Sequence, residues 1–114
     1  MTAYKLTVRR RGGVARERFG SLSEALAALQ AHLDELAPTA SRGPERALAR
    51  QIDPVAQVAV RGEIAGGGVH GGVDIRGNGS MEAFTGRWRR AVVARRPDES
   101  AYDALRRALG FTAA

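Results

Sequence analysis

Residues 69–84 read Val69-His70-Gly71-Gly72-Val73-Asp74-Ile75-Arg76-Gly77-Asn78-Gly79-Ser80-Met81-Glu82-Ala83-Phe84, two alternating runs on either side of an Asn-Gly turn. Asn-Gly accepts the positive φ angles of a tight hairpin, so the stretch predicts two antiparallel strands. Pairing Arg76 with Met81 sets Ile75 opposite Glu82, Val73 opposite Phe84, Gly71 opposite Gly86 and Val69 opposite Trp88. Upstream, Ile64 opposite Val69 across residues 65–68 brings Val60 to Val73 and Val58 to Ile75. The result is a three-stranded meander over 55–64, 69–76 and 81–93. This register gathers the apolar side chains, Phe84 and Trp88 included, onto one face, which is how register is normally set.

The flanking segments supply partners for that face. Tyr4 to Phe19 is a second pair of alternating runs around Gly12-Gly13 and predicts another hairpin. With Arg11 opposite Val14, Tyr4, Leu6, Val8, Ala15 and Phe19 share one face, while Lys5, Thr7, Arg9, Arg11, Val14, Arg16 and Arg18 share the other. Ser21-Leu22-Ser23-Glu24 has the spacing of a capping box, and Leu22, Leu26, Leu29, Leu33 and Leu36 then form a helical stripe. Pro38 predicts an end near Leu36. Residues 38–54 read as a long loop with a short helical turn over 45–50. A last helix opens at Pro97-Asp98-Glu99-Ser100 and turns its apolar side through Tyr102, Leu105 and Leu109. Gly110 closes it and Phe111 folds back. The order is β-β-α-β-β-β-α. One greasy face per strand and one greasy stripe per helix predict a single α+β domain over residues 1–114: an antiparallel sheet of about five strands with two helices on one face.

Composition bounds the function without naming it. The 114 residues carry a net charge of +6, and 17 of the 18 basic residues are arginine. Ala, Arg and Gly together fill 52 positions, a bias that GC-rich codons impose on any protein, so placement of the arginines carries more information than their number. No apolar run reaches the roughly 18 residues of a membrane span, and the first residues lack an apolar signal core. With no cysteine, disulfides and thiolate chemistry are excluded and a cytoplasmic setting is expected.

The inferred register defines two constellations. On the helix-covered face Gly62, Gly71 and Gly86 share a level, a strip for close helix packing through Ala101 or Ala108, or a small pocket. On the open face Glu63 stands beside His70 and Arg87, with Asp74 and Arg61 near and Gln57 beside Arg76. Lys5, Arg9, Arg11, Arg16, Arg18, Arg61, Arg76, Arg87 and Arg89 make this face a candidate for anions such as nucleic-acid phosphates. Neutralisation of Arg61, Arg76 and Arg87 by Glu63, Asp74 and Glu82 would account for part of it without a ligand. With the aromatic residues assigned to the inner face, base stacking on the sheet is not expected.

The α-β-β-β-α order from Leu22 to Leu109 is similar to that of the double-stranded-RNA-binding domain, and Gly66-Gly67-Gly68-Val69-His70 resembles the Gly-Pro-x-His loop of that family. Its phosphate-gripping lysine cluster is replaced here by Pro97-Asp98-Glu99-Ser100, so no residue roles are carried over. The sequence has neither a Gly-x-Ser-x-Gly elbow nor a phosphate loop, and its only lysine is Lys5. Glu63 and His70 could act as an acid/base pair, but Asp74 lies too far along its strand from His70 to complete a metal site, so no metal, cofactor or enzymatic activity is expected. His32 falls on the flank of the first helix. The expected role is a non-enzymatic binding or assembly module, a homo-oligomer, most simply a dimer, joined through its open sheet face or an edge strand. The alternative is nonspecific binding of RNA or DNA phosphates, or another polyanion, on the arginine-rich face.

Overall fold

The computed structural model describes residues 3–40 and 57–110. Chain order runs β1 (Tyr4–Arg10), β2 (Gly13–Phe19), α1 (Leu22–Ala40), β3 (Val58–Gly66), β4 (Val69–Arg76), β5 (Met81–Thr85), β6 (Ala91–Val93) and α2 (Ala101–Ala108). The six strands form one antiparallel sheet in the order β2-β1-β3-β4-β5-β6. Leu26, Leu29 and Leu33 of α1 and Tyr102, Ala104 and Leu105 of α2 join Leu6, Val8, Val60, Ile64, Val73, Ile75 and Ala83 in a single core. Both described helices therefore cover one face, giving the two-layer α+β fold that the sequence predicts, with one strand more.

Glycines let the helices approach. A Cβ on Gly62 would overlap Leu29 Cδ1, and one on Gly71 would stand 3.1 Å from Leu105 Cδ1 and 3.3 Å from Leu109 Cδ2. Leucines, not Ala101 or Ala108, fill the strip. Its third member is elsewhere: Gly86 has left the sheet with a φ of +93°, and Gly62 faces Val73 while Gly71 faces Ile64 and Thr85. Across the helix layer, Tyr102 Oη donates to Asp34 Oδ1 at 2.8 Å and Arg106 to Gln30 Oε1 at 3.0 Å. Burial and the Asp34 carboxylate together push the Tyr102 phenol well above its ordinary value.

The helix termini follow their sequence signals. Glu24 N–H donates to Ser21 Oγ at 3.1 Å. Ser100 caps α2 in a reciprocal box with Asp103. Gly110 takes the left-handed conformation, φ +76°, just past the last turn. One end differs, because α1 runs through Pro38 to Ala40 rather than stopping near Leu36. Leu36 and Ala37 pack against the core, and a proline this near the end removes an N–H from the last turn only, so burial holds that turn in place. The predicted loop and helical turn within 41–56 and the contact of Phe111 lie outside the described residues.

Three hairpin registers differ from the sequence expectation, and only one changes the faces. In β1–β2 the two-residue loop is Arg11-Gly12, so Val8 faces Ala15 rather than Glu17. In β3–β4 the loop is Gly67-Gly68, with both φ angles positive, and Ile64 faces Gly71 rather than Val69. Each moves a partner by two residues, and a period of two keeps the side chains on their faces except at Val58: a break in register between Val58 and Val60 sets it opposite Arg76 rather than Ile75 and leaves it exposed. In β4–β5 the loop is the three residues Gly77-Asn78-Gly79: Arg76 N–H bonds Ser80 O at 2.8 Å, Gly79 N–H bonds Arg76 O at 2.9 Å, and Gly79 takes φ +87°. Ile75 now faces Met81 and Gly72 faces Phe84, a shift of one that sends Phe84 to the side opposite the helices. The strand expected over 81–93 also breaks. Gly86 turns the chain, since a Cβ there would overlap Arg89 O, and residues 91–93 return beside β5 as the extra strand.

Two outcomes check this packing. Gly62→Ala should lose about 1–3 kcal/mol in chemical denaturation, because the added methyl overpacks a fully buried Leu29. The second concerns the connection into α2, where Glu99 receives hydrogen bonds from the Arg107 guanidinium at 2.9 Å and from Arg96 N–H at 2.8 Å. Arg107 first, then Arg96, hold the Glu99 carboxyl down at about 2 against its ordinary 4.5. A depressed carboxylate stabilises the fold above its unfolded value and loses that contribution as pH falls from about 4.5 through about 2. Glu99→Gln should flatten the pH dependence of thermal stability in that window.

Candidate functional site

The side of the sheet that no described helix covers is laid out in cross-strand rows. Pairing aligns Arg18, Lys5, Ala65 and His70 in one row. A second holds Arg16, Thr7, Glu63, Gly72, Phe84 and Val92, and a third Val14, Arg9, Arg61, Asp74 and Glu82.

On β3–β5 this surface is closed by its own chemistry. Gly72 leaves room in the second row that two neighbours share: a Cβ there would overlap the Gly62 carbonyl oxygen first, and would stand 2.9 Å from Phe84 Cζ. Phe84 is only 3% exposed although it faces away from the helices, because Arg61 and Arg90 each place a guanidinium carbon over the ring, 5.3 Å from its centroid. Such contacts contribute about 0.5–2 kcal/mol each. Asp74, 4% exposed, takes Arg61 in a bidentate pair at 2.7 and 2.9 Å, which favours the charged guanidinium and raises its pKa. Arg90 reaches Glu63 at 3.3 and 3.4 Å, and Arg76 meets Glu82 at 2.6 Å.

Glu63 and His70 are adjacent as the sequence suggests, with His70 Nε2 3.5 Å from Glu63 Oε2. The cationic neighbour of Glu63 is Arg90 rather than Arg87. His70 Nδ1 donates to Gly86 O at 2.9 Å, and Gly86 N–H donates to His70 O at the same distance. His70 thus pins the point where the chain leaves the sheet. Asp74 is committed to Arg61, so the three polar candidates do not converge.

The β1–β2 half is different. Lys5, Arg9, Arg16 and Arg18 are exposed on this face, Arg11 is exposed in the adjoining loop, and none has a carboxylate partner among the described residues. Lys5 lies directly opposite Arg18, and Arg9 opposite Arg61. Glu17 is the hairpin's one acidic residue, and alternation turns it to the helix side, where His32 Nε2 meets it at 2.6 Å. Lys5 and Arg18 face each other with no carboxylate between them among the described residues, an arrangement that disfavours the free surface.

Residues 86–90 carry the remaining candidates, Arg87 and Arg89, both exposed. Between them Trp88 is 87% exposed, with the Arg87 guanidinium 5.2 Å from its ring centroid. Phe84 and Trp88 therefore both leave the inner face that the sequence register assigned to them. Sequence reasoning missed Arg90 altogether. The available signal was Gly72 within reach of an aromatic across the hairpin, and a tryptophan set among arginines.

No protein-family model matches the sequence, and neither the curated proteins nor the solved structures yield a significant match. Within the described residues, no helix is long and apolar enough to cross a membrane.

The asymmetry of the ion pairs is testable by substitution. Asp74→Asn should cost about 2–4 kcal/mol, because it leaves Arg61 without its charge partner in a part-buried site. Glu82→Gln, which loses a more exposed pair, should cost less than about 1 kcal/mol. Urea titrations of the two variants read the difference.

Proposed function

We propose that the chain is a non-enzymatic binding module whose partner is the phosphate backbone of nucleic acid, held on the outer face of the β1–β2 hairpin. The observation that carries this reading is the separation of charge: carboxylates accompany the arginines of β3–β5, whereas Lys5, Arg9, Arg11, Arg16 and Arg18 have none among the described residues. Guanidinium groups match phosphate oxygens in bidentate fashion, and a phosphate chain would relieve the repulsion between Lys5 and Arg18. Arg61 and Arg76 are withdrawn from the proposed surface by their pairs with Asp74 and Glu82. A cytoplasmic setting suits such a partner.

The same charge weighs against two copies stacking through this face, and arginines along edge strand β2 oppose strand addition there. Self-association keeps one supporting observation at the other edge. There β6 is three residues long, Val92 is 62% exposed and Trp88 lies close by in sequence, which favours a dimer joined through β6. Sedimentation equilibrium of the full chain tests it, and a monomer throughout the micromolar range removes it.

For nucleic acid, five phosphate contacts would lower affinity about a hundredfold for a single strand and about 500-fold for a duplex between 50 and 200 mM salt. Fluorescence anisotropy with labelled oligonucleotides should show that slope, and Arg16→Glu with Arg18→Glu should abolish binding at low salt while leaving the thermal transition in place. No binding to single- or double-stranded DNA or RNA at low salt would remove the proposal.

A further inference from the structure

Resting on the phosphate-binding reading, we infer that the preferred partner is a single strand, one of whose bases stacks on Trp88. A tryptophan normally buries most of its 150–250 Å² of ring surface, and leaving it in water is costly. Here the indole is 87% exposed in a short segment tied to the sheet on either side. Gly86 is held by two hydrogen bonds to His70, Arg90 is anchored on Glu63 and over Phe84, and Ala91–Val93 pairs with β5. The segment is thus fixed on both sides of Trp88. The Arg87 guanidinium already lies over the ring, 5.2 Å from its centroid. A nucleobase brought to the indole has a π-face to stack on, and the neighbouring guanidinium can take the adjacent phosphate.

Position joins this platform to the basic hairpin. The row Arg18–Lys5–Ala65–His70 crosses the sheet from edge strand β2 and ends at the residue whose backbone and imidazole hold Gly86. Four interstrand steps separate β2 from β5, about 19 Å at about 4.8 Å each. A strand lying along this row would meet cations at one end and, at the other, the turn that carries Trp88 two residues past Gly86, over at most about six phosphates at the about 3.4 Å rise of a stacked strand. A duplex could satisfy the cations, but its paired bases are stacked on one another and cannot reach an indole held on a short turn. Charge complementarity and the exposed ring therefore select an unpaired strand.

Trp88 is the only tryptophan in the chain, so its emission reports the contact directly. The full chain is titrated at low salt with oligothymidylate, with oligouridylate, with a duplex of equal length and with inorganic polyphosphate, which has charge and no bases. Either single strand should quench Trp88 emission and bind more tightly than the duplex. Trp88→Ala should weaken single-strand binding about 5- to 150-fold, corresponding to about 1–3 kcal/mol for one stacked base. Trp88→Phe should recover part of that loss, and polyphosphate affinity should be the same for all three proteins. Unchanged emission at saturating oligonucleotide, or equal affinity of the Trp88→Ala variant, overturns the stacking inference while retention of salt-dependent binding leaves the hairpin reading standing. Loss of a dimer in the Trp88→Ala variant, without loss of single-strand affinity, overturns it in favour of an interface between copies. Failure of every polyanion to bind removes both readings.

Discussion

Gly72 has no side chain, and the Gly62 carbonyl and the ring of its cross-strand partner Phe84 share the space this leaves. Much of the rest of the open face of the sheet depends on this pairing. An aromatic ring placed there must be shielded from water, and Arg61 and Arg90 do so with their guanidinium planes. Those cations in turn need counter-charges close to the sheet, which Asp74 and Glu63 provide. The sheet thus carries its main core under the helices and a small charged clasp around one ring on the reverse side.

The clasp decides how charge is distributed over the molecule. It draws the carboxylates of the face toward β3–β5, and alternation sends Glu17 to the helix side, so the outer face of the hairpin is left with positive charge alone. Its last member, Arg90, also fixes the end of the segment that Gly86 begins. Trp88 is exposed because both ends of that short segment are tied down and the strand it would have prolonged has turned back. An unneutralised basic hairpin and a displayed indole are therefore two results of one local arrangement.

Much of this was legible in the sequence because it rests on local rules. The leucine stripe of the first helix, the caps at Ser21 and Ser100, the left-handed Gly110 and the three glycine-containing hairpins need only neighbouring residues to be recognised. The Glu63 and His70 pairing and the neutralisation of Arg61 by Asp74 survived a small error of register, because a shift of two residues leaves the faces unchanged, whereas Glu82 reaches Arg76 through the one-residue shift of β5. Phe84 and Trp88 did not survive. Placing apolar residues inward is sound where a sheet face is the only shelter. It fails where a glycine and two arginines build a second shelter on the other side.

The sequence by itself determined the two described helices, five of the six strands of the sheet, their order, the two-layer architecture and, Val58 aside, which side of β1–β4 meets the helices, since capping, turn chemistry and hydrophobic period all act within a few residues. Only the tertiary structure decided the face of β5 and the break at Gly86. A hairpin loop of three residues rather than four differs little in local preference, yet it exchanges the two faces of the strand that follows. The choice is made by what each face then meets, with Ala83 in the core under the helices and Phe84 against Gly72, Arg61 and Arg90, contacts that no window of neighbouring residues contains.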